Sequence, residues 1–227
     1  MLWYKGWLET RWRLVLAFGI VVYSLSMAHW GPMHSMEPKM QLDTLALFWM
    51  AIPIWLAGAG TKTQAFRSIK GVHGSMLFTL TLPVSRLRLM AVRAALGFLE
   101  MAGVFFIAAQ AILWASPAIR AHATILDALE QAGVVTICAA VFYFISVLFA
   151  TFLEDIWQIW ISVAAVVSLG VLSKEVRLPA SFDIVQAIGA GSPLVTHTIP
   201  WGAMAVSLCL ATVLYCAALK IAKAREY

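Results

Sequence analysis

The chain has 227 residues, of which 62% are apolar and 12% charged, with a mean hydropathy of +0.87 and a formal net charge of +5. A soluble domain carries about 25% charged residues, so this composition excludes an ordinary soluble fold and leaves no length for a separate catalytic module. The three cysteines, Cys138, Cys209 and Cys216, fall within apolar runs without metal or redox spacing, so neither a disulfide nor a thiolate metal site is expected.

From the N-terminus, Met1–Arg13 places Trp3, Tyr4, Trp7, Leu8 and Trp12 at helical spacing, with Lys5, Glu9 and Arg13 on another face. That pattern predicts a helix over 1–13 lying in the plane of a membrane interface. Leu14–Trp30 follows as a first span. A charged start, an apolar run and Ser26-Met27-Ala28 also resemble a cleavable signal. Three tryptophans and an acid before the run, and the charge bias of the next loop, favour an uncleaved span. His29 and His34 flank the turn after it, too few ligands for a metal, and are expected to be solvated or interfacial, as are His73 and His197.

Asp43–Gly60 is the second span, with Pro53 predicted to kink it. Residues 61–88 then form a long basic connection holding Lys62, Arg67, Lys70, Arg86 and Arg88, too polar to face hydrocarbon. Within it Met76, Leu77 and Leu80 form an apolar helical stripe, ended by Pro83, with Ser85 placed to cap the third span. That span, Leu89–Trp114, contains Glu100 on the face of Arg93. A carboxylate near mid-membrane costs about 2.5–3.5 kcal/mol on insertion scales, so it should meet protein, water or a cation. Glu100 and Arg93 are thus candidates either for a conduit or gate, or for a structural polar contact.

Ala132–Leu153 and Ile156–Ser173 are spans four and five, joined at the acidic turn Glu154-Asp155 and anchored by Trp157 and Trp160. Segment 174–200 is irregular: a short apolar helix near Phe182–Ile188 is broken at Gly189-Ala-Gly191-Ser-Pro193, as in a short outer helix or re-entrant stretch. Trp201–Ile221 is the sixth span. The expected fold is all-α and polytopic, one transmembrane domain over 1–227.

Twelve of the sixteen cations fall inside if all six spans cross and both termini are cytoplasmic, leaving Lys39, Arg120, Lys174 and Arg177 outside. This is a positive-inside signal for a multi-pass cell-membrane protein, here expected in a bacterial inner membrane. The net charge therefore reports orientation, and no nucleic-acid partner is expected. Neither a phosphate-binding Gly-x-x-x-x-Gly-Lys-Ser/Thr loop nor the common hydrolase motifs occur, so the chain is not expected to be an enzyme by itself.

The run Gly74-Ser-Met-Leu-Phe-Thr79-Leu-Thr81-Leu-Pro83-Val-Ser85-Arg86-Leu-Arg88-Leu resembles the stretch before the third span of ABC-2 (type-2) transporter permeases, where Leu-Pro-x-Ser-Arg follows a short coupling helix. The six-span layout, interfacial N-terminal helix and irregular outer stretch resemble that family as well. The resemblance implies a permease subunit, an exporter by family. A separate ATP-binding cassette subunit would dock on His73, Ser75, Met76, Leu77, Thr79 and Leu80, and a second permease would complete a homo- or heterodimer. It implies no cofactor on this chain, since ATP would be bound by the partner. The residues leave two other classes open: a non-transporting anchor or sensor for an ATPase, and an intramembrane enzyme of unrecognised type.

Overall fold

A computed structural model describes residues 2–57, 86–151, 153, 155–175, 179 and 182–224, all of them helical or connecting, with no strand among them. Five helical stretches are long and apolar enough to cross a membrane: Thr10–His29, Pro38–Ala57, Met90–Ala115, Ile125–Ala150 and Trp201–Ala224. A further helix has a shorter apolar stretch, Trp157–Val171.

Helix α1 runs from Leu2 to His29 without interruption. No break separates the N-terminal stretch expected as its own helix from the first span: residues 2–13 form the first turns of the same helix. Thr10 to Leu16 holds neither proline nor glycine, and a change from amphipathic to apolar pattern does not by itself break the backbone hydrogen bonds. At 28 residues α1 is about 42 Å long. A 3-10 turn at Pro32–Ser35 leads to α2 (Pro38–Trp49), and α3 (Ala51–Ala57) follows a break at Met50. Pro53 explains the position of the break. Its ring displaces the carbonyl four residues back, that of Trp49, which is the last residue of α2.

Helix α4 (Arg86–Ala115) is followed by the short α5 (Pro117–Arg120), capped by Ser116, whose hydroxyl accepts the Ile119 amide at 3.3 Å. Helix α6 (Ile125–Ala150) begins seven residues earlier than its apolar run. Thr124 and Asp127 form a reciprocal capping box that satisfies its first amides. Helices α7 (Asp155–Glu175), α8 (Ile184–Ile188), α9 (Pro193–Thr196) and α10 (Trp201–Ala224) complete the chain. Two short helices around Gly189–Ser192 thus occupy the stretch read as irregular.

Helix α6 is the axis of the bundle, packing against α3, α4, α7, α8, α9 and α10. Its Phe142 and Tyr143 are fully buried with Trp49 and Phe105, whose rings lie 6.5 Å apart. Large apolar side chains such as Val22, Leu99, Phe106, Leu208 and Val213 are exposed around the outside, the arrangement of a bundle whose solvent is hydrocarbon.

Cross-helix contacts fix the helix directions. Thr10 meets Glu100 and His29 meets Ala115, so α1 and α4 run parallel. Tyr143 reaches Ala94, so α6 runs against α4. Phe144 packs on Tyr215 at 5.2 Å, and Gln131 near the start of α6 bonds the stretch before α10, so α10 runs with α6. Leu2 and Ala224 consequently lie at one end of the bundle, called here the terminal end, with Ala57 and Arg86.

Candidate functional site

Among the described residues the carboxylate set furthest into an apolar stretch is Glu100 on α4. Thr10 of α1 donates its hydroxyl proton to Glu100 Oε1, while Glu100 Oε2 is buried and without a partner among the described residues. Around it, Arg13 Nη1 donates to the Trp55 carbonyl at 3.2 Å, and Tyr143 Oη donates to the Ala94 carbonyl at 2.9 Å. Arg93, two turns nearer the terminal end, is 8% exposed. Four helices thus converge with one carboxylate, two guanidinium groups, one threonine and one buried phenol.

Its depth follows from the helix rise. His29 Nδ1 lies 2.7 Å from the Ala115 carbonyl oxygen, which can only accept, so Nδ1 carries the proton and marks the far end of α1 and α4. Glu100 precedes Ala115 by fifteen residues, or about 22 Å. It also follows Met90, where the apolar stretch starts, by ten residues or about 15 Å, and so lies in the interior of that stretch.

Close backbone approach holds the site together. A Cβ on Gly97, one turn before Glu100, would lie 2.5 Å from Tyr143 Oη and 3.3 Å from the Leu56 carbonyl oxygen. Glycine is what lets α4, α3 and α6 meet there. The lone glycine in a run of good helix formers was the available signal. Thr10, Arg13 and Tyr143 had none, because their contacts depend on helix register.

A second polar cluster fastens the opposite end. Asp43 Oδ1 accepts the Ala190 amide at 2.7 Å, Gln131 Nε2 donates to the Ile188 carbonyl at 3.0 Å, and His197 Nδ1 lies 3.3 Å from Asp127 Oδ1. His197 adopts a left-handed φ of 52° to reach it. Two of the histidines expected to be solvated or interfacial also make contacts at this end: His29 ties α1 to α4, and the half-exposed His197 pairs with the capping carboxylate of α6. Gln41, buried, bonds Ser116 at 2.7 Å and completes this end.

Of the residues singled out in the sequence, Glu100 and Arg93 occupy the converging site. His73, Ser75, Met76, Leu77, Thr79 and Leu80 lie outside the described residues, as do Pro83 and Ser85. No group of three or more His, Cys, Asp or Glu side chains able to hold a metal occurs among the described residues. Among the described residues the site offers hydrogen-bond and charge partners. Comparison with protein-family models, with curated proteins and with solved structures gives no match.

Proposed function

We propose that the chain is the permease subunit of an ABC-2 type ATP-binding cassette transporter, an exporter energised by a separate ATP-binding subunit docked on residues 73–80. The observation that carries this reading is the placement of Ala57 and Arg86, the two residues that bracket segment 58–85. Both lie at the end of the bundle that also holds the cation-bearing ends of α1 and α10, so the basic connection with its Leu-Pro-Val-Ser-Arg run issues from that face. With the terminal end cytoplasmic, the positive-inside bias is obeyed. Helix α7, at 21 residues and about 31 Å, then serves as the fifth of six crossings. A second permease would pair with this one, and Glu100 would act in the conduit wall or as a structural acceptor for Thr10.

The test is co-purification of the full chain with its ATP-binding partner from native membranes. Leu77→Asp with Leu80→Asp puts charge into an apolar docking stripe, where it is costly. Loss of the ATPase with normal membrane insertion is expected. Retention of the ATPase by this variant rejects the docking assignment. An ATPase bound without ATP-dependent cargo movement in vesicles identifies an anchor instead.

A further inference from the structure

The inward face of α7 is polar. Residues 158, 162 and 166 recur every four positions and are the buried stripe among the described side chains of this helix, with Gln158 at 1% and Ser162 at 0% exposure. Its large apolar residues Trp157, Trp160, Ile161, Val163 and Val167 point outward. Among the described residues neither Nε2 nor Oε1 of Gln158 has a hydrogen-bond partner, nor has Ser162 Oγ, nor the Oγ of Ser146, which is 0% exposed on α6.

These groups face a common seam. Helices α6 and α7 are joined by the connection at 151–154 and pack together, and α7 also packs on α3. Ser146 lies four residues before the end of α6 and Gln158 three after the start of α7. In an antiparallel pair that puts them within about one turn of the same level. On the α3 side, Pro53 has no amide proton to give the Trp49 carbonyl. An amide needs two acceptors and at least one donor, and each serine hydroxyl can give one proton and accept. Buried polar groups are otherwise almost always paired, with protein or with ordered water.

We propose that this seam between α7, α6 and α3 is a water-binding site, a hydrated cleft that enters the bundle from the terminal end. Water matches the donor and acceptor inventory: it accepts from Gln158 Nε2 and the serine hydroxyls and donates to Gln158 Oε1. Typical buried waters make about three such bonds. The inference stands apart from the permease reading, since it concerns only which solvent fills the seam.

Thiol accessibility tests it in the full chain, reconstituted in lipid nanodiscs with Cys138, Cys209 and Cys216 replaced by alanine. Single variants Ser162→Cys and Ser146→Cys put a near-isosteric thiol on each wall. Val166→Cys, on the same buried stripe one turn on, serves as the dry comparator. Methanethiosulfonate ethylammonium reacts with the thiolate, which forms only in contact with water, so hydrated positions should react at least ~10-fold faster than Val166→Cys. Faster reaction at either serine position in monodisperse protein supports the cleft. Rates at both equal to that of Val166→Cys, with all three thiols reacting fully after unfolding in SDS, overturn it. Because the two variants lie on different helices, misfolding of one leaves the other to decide.

Discussion

Replacing Gly97 with alanine should destabilise the protein, and replacing Tyr143 with phenylalanine should reverse that effect. In the single variant the new methyl carbon would lie 2.5 Å from Tyr143 Oη and 3.3 Å from its Cζ, inside ordinary contact distance. Either the phenol leaves the Ala94 carbonyl, now 2.9 Å away, or α4 and α6 separate. Overpacking of this kind costs about 1–3 kcal/mol, reduced by the roughly 1 kcal/mol by which alanine favours a helix over glycine. Tyr143→Phe alone gives up one buried hydrogen bond, about 1 kcal/mol. In the double variant the methyl group occupies the volume the hydroxyl vacated, and the contacts that remain close are the Leu56 carbonyl and the ring Cζ of residue 143, each at 3.3 Å. The double variant should therefore be more stable than Tyr143→Phe, with a coupling of about 1–3 kcal/mol in the favourable direction. Unfolding of the four proteins in mixed SDS and dodecylmaltoside micelles, followed by tryptophan fluorescence, measures the cycle. Additivity to within about 0.5 kcal/mol would show that Gly97 and Tyr143 are not in the contact described.

Three further expectations follow from the same geometry. Thr10→Val removes the donor to Glu100 and should cost about 1–3 kcal/mol, whereas Glu100→Gln keeps an acceptor for Thr10 and should change stability by less than about 1 kcal/mol; thermal denaturation of both in detergent gives the order. Thr124→Ala removes the cap of α6 and should cost about 1 kcal/mol, read as a melting temperature lower by about 2–4 °C. Single cysteines at Ser35 or Ala121, both exposed, should react with an impermeant maleimide applied outside cells, and one at Ala224 should not; labelling at Ala224 alone would invert the orientation. Ser116 is a poor reporter of that side, because it is 1% exposed and bonded to Gln41.

Composition and run length locate the membrane-length helices, because a stretch of some twenty apolar residues has few other uses. Helix ends were less legible for specific reasons. The start of α6 is set by Thr124 and Asp127, a capping pair visible in the sequence but lying outside the apolar run. The end of α2 is set by a proline four residues further on. The absence of a break after residue 13 was not legible, because amphipathicity reports which side of a helix meets which solvent and carries no information about where the axis bends. The polar site was half legible. Glu100 draws attention to itself as a charge in an apolar run, but its partner Thr10 is 90 residues away in the chain. His197 and Asp127 likewise meet only through the fold, so nothing local distinguishes His197 from an idle surface histidine.

The parallel pair formed by α1 and α4 is fastened at two levels, by Thr10 on Glu100 at the middle of α4 and by His29 on the Ala115 carbonyl at its far end. Two rods pinned at separated points cannot slip lengthwise past each other without releasing both pins together. Packed helices move between discrete arrangements more readily than they stretch. A push delivered to the first turns of α1 would accordingly travel along a stiff double strut and arrive at the opposite face as a tilt, with Trp30 and the Pro32–Ser35 turn swept sideways. The hydrogen bonds that hold the resting protein would then also set its gearing, and a leucine at position 29 would leave the helices in place while loosening the linkage between the two faces.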